Sequence, residues 1–404
     1  MAPIRMFPRL FSRLSSRLFP GLFRVIIASL VLVSLPVATA FAQSVLIPSS
    51  PQIAASSFVL MEPLSGRVIM EENSHERLPP ASLTKMMTAY IVERELDEGR
   101  LSMSDMVPIS VNAWRTQGSR TFVQEGTEVS VEDLLRGVVI QSGNDASVAL
   151  AEFVAGSEGA FVDIMNQQAE LLGMNETNFA NATGLPAPDH FSTANDLALL
   201  AKATINDYPE TYPLYADKHF TFNNIRQPNR NSLLWRDDSV DGLKTGHTEE
   251  AGYCLVASAK RNDTRFIAVV MGASSTSARA QEVQKMLNYG FRYYQTERLF
   301  STGQELIAAK IWGGQNDQLS VGILDDVHVT IPRGSRDSLE SVIELDTVIQ
   351  APVSVGDELG RVKVTLDGET VVDQPVLALS DVPEGGFFKR IWDAIKLFFV
   401  QLFE

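Results

Sequence analysis

The chain has 404 residues, of which 45% are hydrophobic and 21% charged, a composition typical of a globular protein long enough for two domains. Its formal net charge of −15 argues against sequence-independent binding to nucleic acid, which requires a basic surface. Cys254 is the only cysteine, so no intramolecular disulfide can form. Because Cys254 lies in a predicted strand and no local motif pairs it with a histidine, we expect a buried, inert thiol.

Residues 1–42 have the pattern of an export signal. Five arginines and no acidic residue accompany the apolar run VIIASLVLVSLPVATAFA. The arginines are Arg5, Arg9, Arg13, Arg17 and Arg24. Of two A-x-A cleavage sites, at 38–40 and 40–42, we favour the second, which leaves Gln43 as the mature start. The alternative is an uncleaved membrane anchor, which the short apolar core before Pro36 disfavours.

Residues 43–297 have the pattern of one α/β (α+β) domain. SSFVLMEPLSGRVIM predicts two short strands. A helix should follow, from the prolines before Ser82 to Gly99. Ser82 is an ordinary N-cap candidate for this helix. The region 130–200 is mainly helical, with a capping box at Ser130 and a break at QSGND. GLKTGH, GYCLVASAKR and RFIAVVMG then predict an antiparallel meander, followed by a last helix. Strands at both ends of the domain suggest one antiparallel sheet covered by helices.

Residues 298–384 change to short alternating segments such as VHVTIP and RVKVTLDGETVV. This pattern, with an Asp-Gly turn, predicts a second, all-β domain, most simply a small sandwich. His328 stands alone in it between alternating valines, where a surface or packed histidine is expected. No catalytic constellation occurs in this part of the sequence.

Residues 385–404 predict an amphipathic helix. Its apolar stripe comprises Phe388, Ile391, Trp392, Ile395, Phe398, Phe399 and Leu402, and its polar face comprises Lys389, Arg390, Asp393, Lys396, Gln401 and Glu404. Such a helix is too polar to span a membrane. We expect residues 387–404 to lie on the inner-membrane surface, with Lys389, Arg390 and Lys396 near anionic headgroups. Docking on the β domain is the alternative.

Three short motifs occur in order within the predicted α/β domain. Ser82 and Lys85 form an S-x-x-K pair at a helix start, where residues three apart share a face. Ser142 and Asn144 form S-x-N in the helix break, and residues 244–246 form K-T-G on a strand. Each motif is weak alone. The set, in this order, is the signature of penicillin-binding proteins and serine β-lactamases.

The chain resembles the low-molecular-weight penicillin-binding proteins that are D-alanyl-D-alanine carboxypeptidases. Nearly the whole mature chain carries the resemblance, including LPPASLTKMMTAYIV, VVIQSGNDASVALAE, NATGLPAPDHFSTANDLALLA, VDGLKTGHTEEAGYCLVASA and MLNYGFRYY. It implies a periplasmic enzyme at the outer face of the inner membrane that removes the last D-alanine from peptidoglycan pentapeptide stems. Such an enzyme serves cell-wall remodelling and shape, and β-lactam antibiotics inhibit it covalently. We expect no cofactor, and the scattered histidines do not favour a metal site.

A serine hydroxyl becomes a nucleophile only when a base takes its proton, and a lysine is a base only when it is neutral. We therefore expect Ser82 as the nucleophile that forms an acyl-enzyme and Lys85 as its base. Ser142 is the expected proton relay to the leaving amine. Asn144 is expected to position the substrate amide or Lys85, and Lys244 to supply a neighbouring positive charge.

The substrate ends in a carboxylate, so selection of chain ends requires a cation and hydroxyl groups, and Lys244 and Thr245 of the K-T-G motif, closed by Gly246, fit that role. The resemblance further implies an oxyanion hole formed by the backbone N–H groups of Ser82 and His247. It also places Arg279 at the position of a further arginine that faces the site. The alternative for Arg279 is an ordinary solvated helix residue.

Three rival functions remain open to different degrees. An endopeptidase or transpeptidase on the same fold is the nearest, and a wall-binding protein without turnover is the second. A binder has no need of Lys85 beside Ser82, which disfavours it. A class A β-lactamase is disfavoured because no E-x-x-L-N occurs between Ser142 and Lys244 and because the middle motif reads Ser-Gly-Asn.

Overall fold

The computed structural model of the chain describes residues 47–403. The predicted export signal and its cleavage sites lie outside the described residues. The first elements are an antiparallel strand pair, β1 (Ser57–Met61) and β2 (Val68–Glu72), as predicted. A 3₁₀ turn at Ala81–Thr84 leads directly into helix α1 (Lys85–Asp97). The expected N-cap role of Ser82 is wrong, because neither the turn nor the helix has a side-chain cap; Ser82 Oγ accepts a hydrogen bond from Lys85 instead.

A mainly helical region follows, as predicted. Its elements are β3 (Met106–Pro108), α2 (Val111–Arg115), β4 (Glu128–Ser130), α3 (Val131–Arg136), α4 (Asn144–Ala155), α5 (Glu158–Leu171) and α6 (Ala194–Asp207). Ser130 caps α3, since its hydroxyl accepts a hydrogen bond from the backbone N–H of Asp133 at 3.1 Å. A π turn at Gly137–Gln141 extends α3, and the chain breaks at Ser142 before α4 begins.

The chain returns to the sheet after a small hairpin. The remaining elements of this region are β5 (His219–Phe222), β6 (Ile225–Pro228), β7 (Val240–Thr248), β8 (Gly252–Arg261), β9 (Thr264–Ala273) and α7 (Thr276–Tyr293). The predicted meander and last helix are confirmed. The five strands of the main sheet have the order β2-β1-β9-β8-β7, and all their pairs are antiparallel. One sheet is therefore built from both ends of the region, with β7 at its edge.

The two faces of this sheet are covered by different helices, which explains why its strands are apolar on both sides. Successive residues of a strand point to opposite faces. Val59 of β1 belongs to the cluster that contains Ile91 of α1, whereas its neighbour Leu60 belongs to the cluster that contains Val283 and Met286 of α7. The helix that begins beside Ser82 is thus held firmly against the sheet that carries the K-T-G motif.

The part of the chain after α7 is β-rich, as predicted. Its strands are β10 (Tyr294–Phe300), β11 (Glu305–Trp312), β12 (Gln318–Gly322), β13 (Val327–Pro332), β14 (Leu339–Leu345), β15 (Ile349–Gln350), β16 (Glu358–Leu366) and β17 (Glu369–Ala378). β10 pairs with β13, and six strands form a second sheet of order β14-β16-β17-β12-β11-β15. The carboxylate of Glu62, fully buried, accepts a hydrogen bond from Thr330 of β13 at 3.1 Å and thereby ties this part to the α/β region.

The predicted amphipathic helix is present as α8 (Phe387–Phe403), and it contacts the β-rich part. Its polar face contacts the β-rich part: Lys389 pairs with Asp317 at 2.7 Å, and Asp393 accepts a hydrogen bond from the backbone N–H of Gly313 at 3.2 Å. Its apolar stripe is exposed, with Phe388 85% and Trp392 60% accessible. Asp393 lies on the polar face, as predicted, and is only 5% exposed because that face contacts the β-rich part. None of the helices within residues 47–403 is sufficiently long and apolar to span a bilayer.

Candidate active site

The site begins where the 3₁₀ turn passes into α1. Lys85 is the first residue of α1, and its side chain has no solvent exposure. Its Nζ donates hydrogen bonds to Ser82 Oγ at 3.1 Å and to the carbonyl oxygen of Thr183. The S-x-x-K spacing therefore produces the expected contact between the two side chains.

Ser142 stands at the end of the π turn in a left-handed conformation, with φ of +67°. Such a backbone is uncommon for a residue other than glycine and is often found at functional sites. Its hydroxyl accepts a hydrogen bond from Lys244 Nζ at 2.8 Å. The lysine in contact with Ser142 is thus Lys244, on the edge strand β7, and Lys244 Nζ also donates to the carbonyl oxygen of Thr245 at 3.0 Å.

Close approach of β7 to the turn that carries Ser82 depends on Gly246. A Cβ at this position would lie 3.0 Å from the carbonyl oxygen of Pro80 and 3.3 Å from Cβ of Ala81. A residue larger than glycine at position 246 would push β7 away from the turn that carries Ser82. The glycine therefore sets the width of the gap between Ser82 and β7.

A cleft of about 350 Å³ brings most of the predicted residues together. Its walls include Ser82, Ser142, Asn144, Thr245, Gly246, His247 and Arg279. Lys85 and Lys244 lie beneath these walls and reach the cleft through their hydrogen bonds to Ser82 and Ser142. All the sequence-predicted site residues thus belong to one place in the fold.

Asn144 makes a different contact from one of those expected. Its side-chain nitrogen donates to the carbonyl oxygen of Gln117 at 2.6 Å, and no hydrogen bond joins it to Lys85 in the described structure. Gln117 directly precedes Gly118 and Ser119, which line the cleft. In this arrangement Asn144 holds this segment, and its position in the wall leaves it beside any bound peptide.

Arg279 of α7 is not an ordinary solvated residue, so that alternative is wrong. It is only 6% exposed, and its guanidinium donates to the carbonyl oxygens of Gly246 at 2.9 Å and Cys254 at 3.4 Å. Because these two carbonyls belong to the paired strands β7 and β8, Arg279 fixes the strand that carries the K-T-G motif. Cys254 itself is buried, as expected.

Comparison with known proteins decides the family. Residues 44–275 match a sequence family described as D-alanyl-D-alanine carboxypeptidase. The chain belongs to this family. Residues 294–384 match the family described as penicillin-binding protein 5, C-terminal domain. The β-rich part of the chain therefore also matches a known domain family.

Individual members of the family are similar over most of their length. D-alanyl-D-alanine carboxypeptidase DacC of Escherichia coli strain K12 is 43% identical over 90% of this chain and 93% of its own. The structure of penicillin-binding protein 5 from Haemophilus influenzae matches with a TM-score of 0.81 and 41% identity, over 83% of this chain and 100% of that one. Penicillin-binding protein D2 from Listeria monocytogenes, solved in an ampicillin-bound form, matches with a TM-score of 0.56 and 30% identity, over 60% of this chain and 100% of that one.

Burial, aided by like charges, favours neutral lysines in this carboxypeptidase-family site. Burial, with a smaller contribution from the charge of Arg230, lowers the pKa of Lys85 to about 7, although Asp145 opposes the shift. The pKa of Lys244 is held well below its ordinary value by burial and by the like charges of Lys85, Arg230 and Arg279. Near neutral pH a substantial fraction of Lys85 is therefore uncharged and able to accept a proton.

His190 lies beside the same lysine but is not a second base. Its Nε2 and the hydroxyl of Thr84 are 2.8 Å apart, and burial together with the charge of Lys85 lowers the pKa of His190 to about 4. The imidazole is therefore neutral at neutral pH and supports the 3₁₀ turn by hydrogen bonding. In the part of the chain that the structure describes, no three histidine, cysteine or carboxylate side chains converge as metal ligands would.

Sequence reasoning missed three contributors to the site. The carbonyl oxygen of Thr183, which binds Lys85, lies within NATGLP, a segment that carried the family resemblance without any assigned role. Ser119 and Arg230 line the cleft, and Arg230 donates to Ser119 Oγ at 2.7 Å and to the carbonyl oxygen of Gln141 at 2.9 Å. An arginine in the loop QPNRNS carries no motif, so only the folded chain identifies it.

Proposed function

We propose that the protein is a serine-type D-Ala-D-Ala carboxypeptidase that removes the terminal D-alanine from the pentapeptide stems of peptidoglycan through an acyl-enzyme on Ser82. The observation that carries the proposal is the buried Lys85 Nζ at 3.1 Å from Ser82 Oγ. A lysine in this position, with its pKa lowered to about 7, is a base matched to working near neutral pH. The family match of residues 44–275 supports the reaction class.

In the proposed acylation, neutral Lys85 takes the proton of Ser82 as Oγ attacks the carbonyl carbon of the penultimate D-alanine. The carbonyl oxygen becomes an oxyanion, which accepts hydrogen bonds from the backbone N–H groups of Ser82 and His247. The C–N bond then breaks, D-alanine leaves, and the acyl group remains on Ser82 as an ester. Water hydrolyses this ester and frees the enzyme.

The leaving nitrogen needs a proton, and Ser142 is the proposed relay. Its hydroxyl is held by Lys244 Nζ at 2.8 Å, which supports proton transfer from a lysine through the serine to the amine. The left-handed backbone of Ser142 directs this hydroxyl into the cleft wall, where Asn144 lies two residues away. Asn144 is proposed to bind the substrate amide.

Recognition of the terminal carboxylate is assigned to Lys244, Thr245 and Arg279. A carboxylate between these groups would offset the like charges that lower the pKa of Lys244, so binding of the substrate and protonation of Lys244 favour one another. Gly246 keeps β7 close to the turn that carries Ser82, which supports a carboxylate site next to the nucleophile. An internal peptide bond offers no such carboxylate, which favours trimming over cleavage of cross-links.

β-Lactam antibiotics are the proposed covalent inhibitors, on the same serine. The similar protein from Listeria monocytogenes was solved in an ampicillin-bound form, which supports this proposal. A penicillin carries a carboxylate next to a reactive amide carbonyl, as the stem peptide does. Acylation of Ser82 by the drug would use the same base and oxyanion donors.

We further propose that residues 1–42 are an export signal, 43–297 the carboxypeptidase domain, 298–384 a β domain, and 385–404 an anchor on the outer face of the inner membrane. The exposed apolar stripe of α8 supports the anchor, since Phe388 and Trp392 lie on the side away from Gly313 and Asp317. Lys389, Arg390 and Lys396 pair with Asp317, Glu384 and Asp393. Arg390 and Lys396, with 52% and 48% of the side chain exposed against 31% for Lys389, are the more accessible cations for headgroup contacts.

Two experiments test the proposed function. The purified protein is incubated with peptidoglycan fragments, and mass spectrometry should detect loss of one D-alanine from pentapeptide stems; cleaved cross-links would indicate an endopeptidase instead, and unchanged fragments a wall binder. A fluorescent penicillin should label the protein covalently, whereas Ser82→Ala should not be labelled. Equal labelling of both proteins would end the proposal for Ser82.

A further inference from the structure

A single arginine outside the three motifs connects the two loops that border the cleft. Arg230 follows strand β6, and its Nε donates to the carbonyl oxygen of Gln141 at 2.9 Å, one residue before Ser142. Its second nitrogen donates to Ser119 Oγ at 2.7 Å, and Ser119 Oγ in turn donates to the same Gln141 carbonyl at 2.9 Å. These contacts form a closed triangle around one carbonyl oxygen at the base of the Ser142 turn.

The residue is partly solvent-exposed, yet its guanidinium lines the cleft together with Ser82 and Thr245. Bracing the loop requires only hydrogen-bond donors. Arg230 also brings a positive charge, and this charge acts on both buried lysines of the site. We propose that Arg230 is a positioning residue for the reaction, which ties the Ser142 turn to the Ser119 loop and keeps a positive charge beside Lys85 and Lys244.

The electrostatic consequence depends on all the charged groups around Lys85. Asp145 of α4 favours its protonated form, whereas Arg230 disfavours it, and burial is the largest cause of the lowered pKa. The charge of Lys85 in turn lowers the pKa of Lys244 on β7, and His190 is neutral because its own pKa is about 4. Asp145 is already engaged by the backbone N–H groups of Thr121 and Phe122, both at 2.8 Å. Among these groups Arg230 is the exposed cation, so its influence is the one that salt can screen.

The inference rests on the proposed role of Lys85 as the base that must be neutral. Under that role, kcat/KM rises with pH as Lys85 loses its proton. Removal of the Arg230 charge raises the pKa of Lys85, so the acidic limb of the profile moves to higher pH. Because the charge is exposed, we expect the acidic limb to move by about 0.3–1 pH unit. At pH values below the pKa of Lys85 this corresponds to a loss of kcat/KM of about 2–10-fold.

Substitutions at Arg230 and Ser119 separate the effect of the charge from the effect of the hydrogen bonds. Arg230→Gln can still donate hydrogen bonds but has no charge, whereas Arg230→Lys keeps the charge with fewer donors. Ser119→Ala removes one side of the triangle and leaves the charge in place. Arg226→Gln is the matched control, because Arg226 is an exposed cation on β6 that does not line the cleft.

The test is the pH profile of kcat/KM for a D-Ala-D-Ala stem peptide, with active sites counted by penicillin labelling so that partly misfolded variants remain comparable. Arg230→Gln should shift the acidic limb to higher pH, Arg230→Lys should shift it less, and Ser119→Ala and Arg226→Gln should leave it in place. Raising the ionic strength should move the wild-type limb toward that of Arg230→Gln. A limb that stays in place in Arg230→Gln, or that moves equally in Arg226→Gln, overturns the inference. The base role of Lys85 fails separately, through normal penicillin labelling of Lys85→Ala, and the proposed function fails if the wild type leaves pentapeptide stems unchanged.

Discussion

Lys244 Nζ lies 2.8 Å from Ser142 Oγ, so a strand residue and a helix-break residue that are 102 positions apart share one hydrogen bond. The contact places a second lysine at the site, in addition to the one that holds Ser82. The two lysines therefore contact two different serines, Lys85 with Ser82 and Lys244 with Ser142. In the proposed reaction Lys85 removes the proton from the nucleophile, and Ser142, held by Lys244, relays a proton from lysine to the leaving amine.

Replacement of Ser142 should therefore affect peptide substrates more than β-lactams. A peptide bond releases a free amine that needs a proton as it leaves, whereas the strained ring of a penicillin already favours opening. In Ser142→Ala we expect kcat for a stem peptide to fall on the order of 10²- to 10⁴-fold. Acylation by a fluorescent penicillin should slow by a smaller factor, measured as the rate of labelling under the same conditions. A larger effect on penicillin than on peptide would contradict the relay role.

The sequence predicted those parts of the site whose geometry is local or whose motif is distinctive. Ser82 and Lys85 meet because residues three apart share a helical face, and the break around Ser142 followed from its small polar residues between two apolar helical segments. The contacts of Thr84 with His190 and of Lys85 with Thr183 were not predictable, because both partners come from a distant loop. Sequence periodicity contains no information about such contacts.

Arg230 and Asp393 both show that a sequence pattern does not identify hydrogen-bond partners from distant parts of the chain. No motif predicts a role for Arg230, because its partners, Gln141 and Ser119, lie far away in the sequence. Asp393 lies on the polar face of the last helix, as the pattern predicts, but a helical pattern does not say which polar residues a neighbouring loop covers. The backbone N–H of Gly313 supplies the partner that lets the carboxylate be buried.

Arg279 offers a test of how the free carboxylate of the substrate is recognised. Its buried guanidinium holds the carbonyl oxygens of Gly246 and Cys254, so Arg279→Lys keeps the charge but loses part of this fixed geometry. We expect kcat/KM for a stem with a free carboxylate to fall about 10- to 100-fold in Arg279→Lys and further in Arg279→Ala. A stem amidated at its terminus should be a poor substrate for all three proteins and should change little among them. Equal losses on both substrates would show that Arg279 acts only through the stability of β7.

Glu93 predicts a pH-dependent loss of stability unrelated to the reaction. It lies on α1 with 1% exposure, and burial raises the pKa of its carboxyl group to about 8. The unfolded chain ionises this group above about pH 4.3, while the folded chain keeps it neutral until about pH 8. Stability from this group is therefore complete below about pH 4 and is lost as pH rises through the folded pKa.

Glu93→Gln has no proton to lose and should be more stable than the wild type at neutral pH. The expected gain is about 1–3 kcal/mol at pH 7 and close to none near pH 4, measured by urea denaturation at both values. Tyr215, whose hydroxyl lies 3.4 Å from Glu93 Oε2, can still donate to the amide oxygen of the variant. A gain that is equal at both pH values would show that the effect comes from packing and not from ionisation.

The exposed stripe of α8 predicts which face of the helix meets lipid. Trp392 and Phe399 are 60% and 53% exposed, whereas Leu397 on the side toward the β-rich part is 9% exposed. In a sedimentation assay with vesicles that contain anionic lipid, Trp392→Ala combined with Phe399→Ala should release most of the bound protein. Leu397→Ala is the matched control: it removes a similar apolar side chain from the same helix but should leave vesicle binding largely unchanged. If Leu397→Ala released as much protein as the double variant, the helix would have to leave its seat at Gly313 and Asp317 in order to bind lipid.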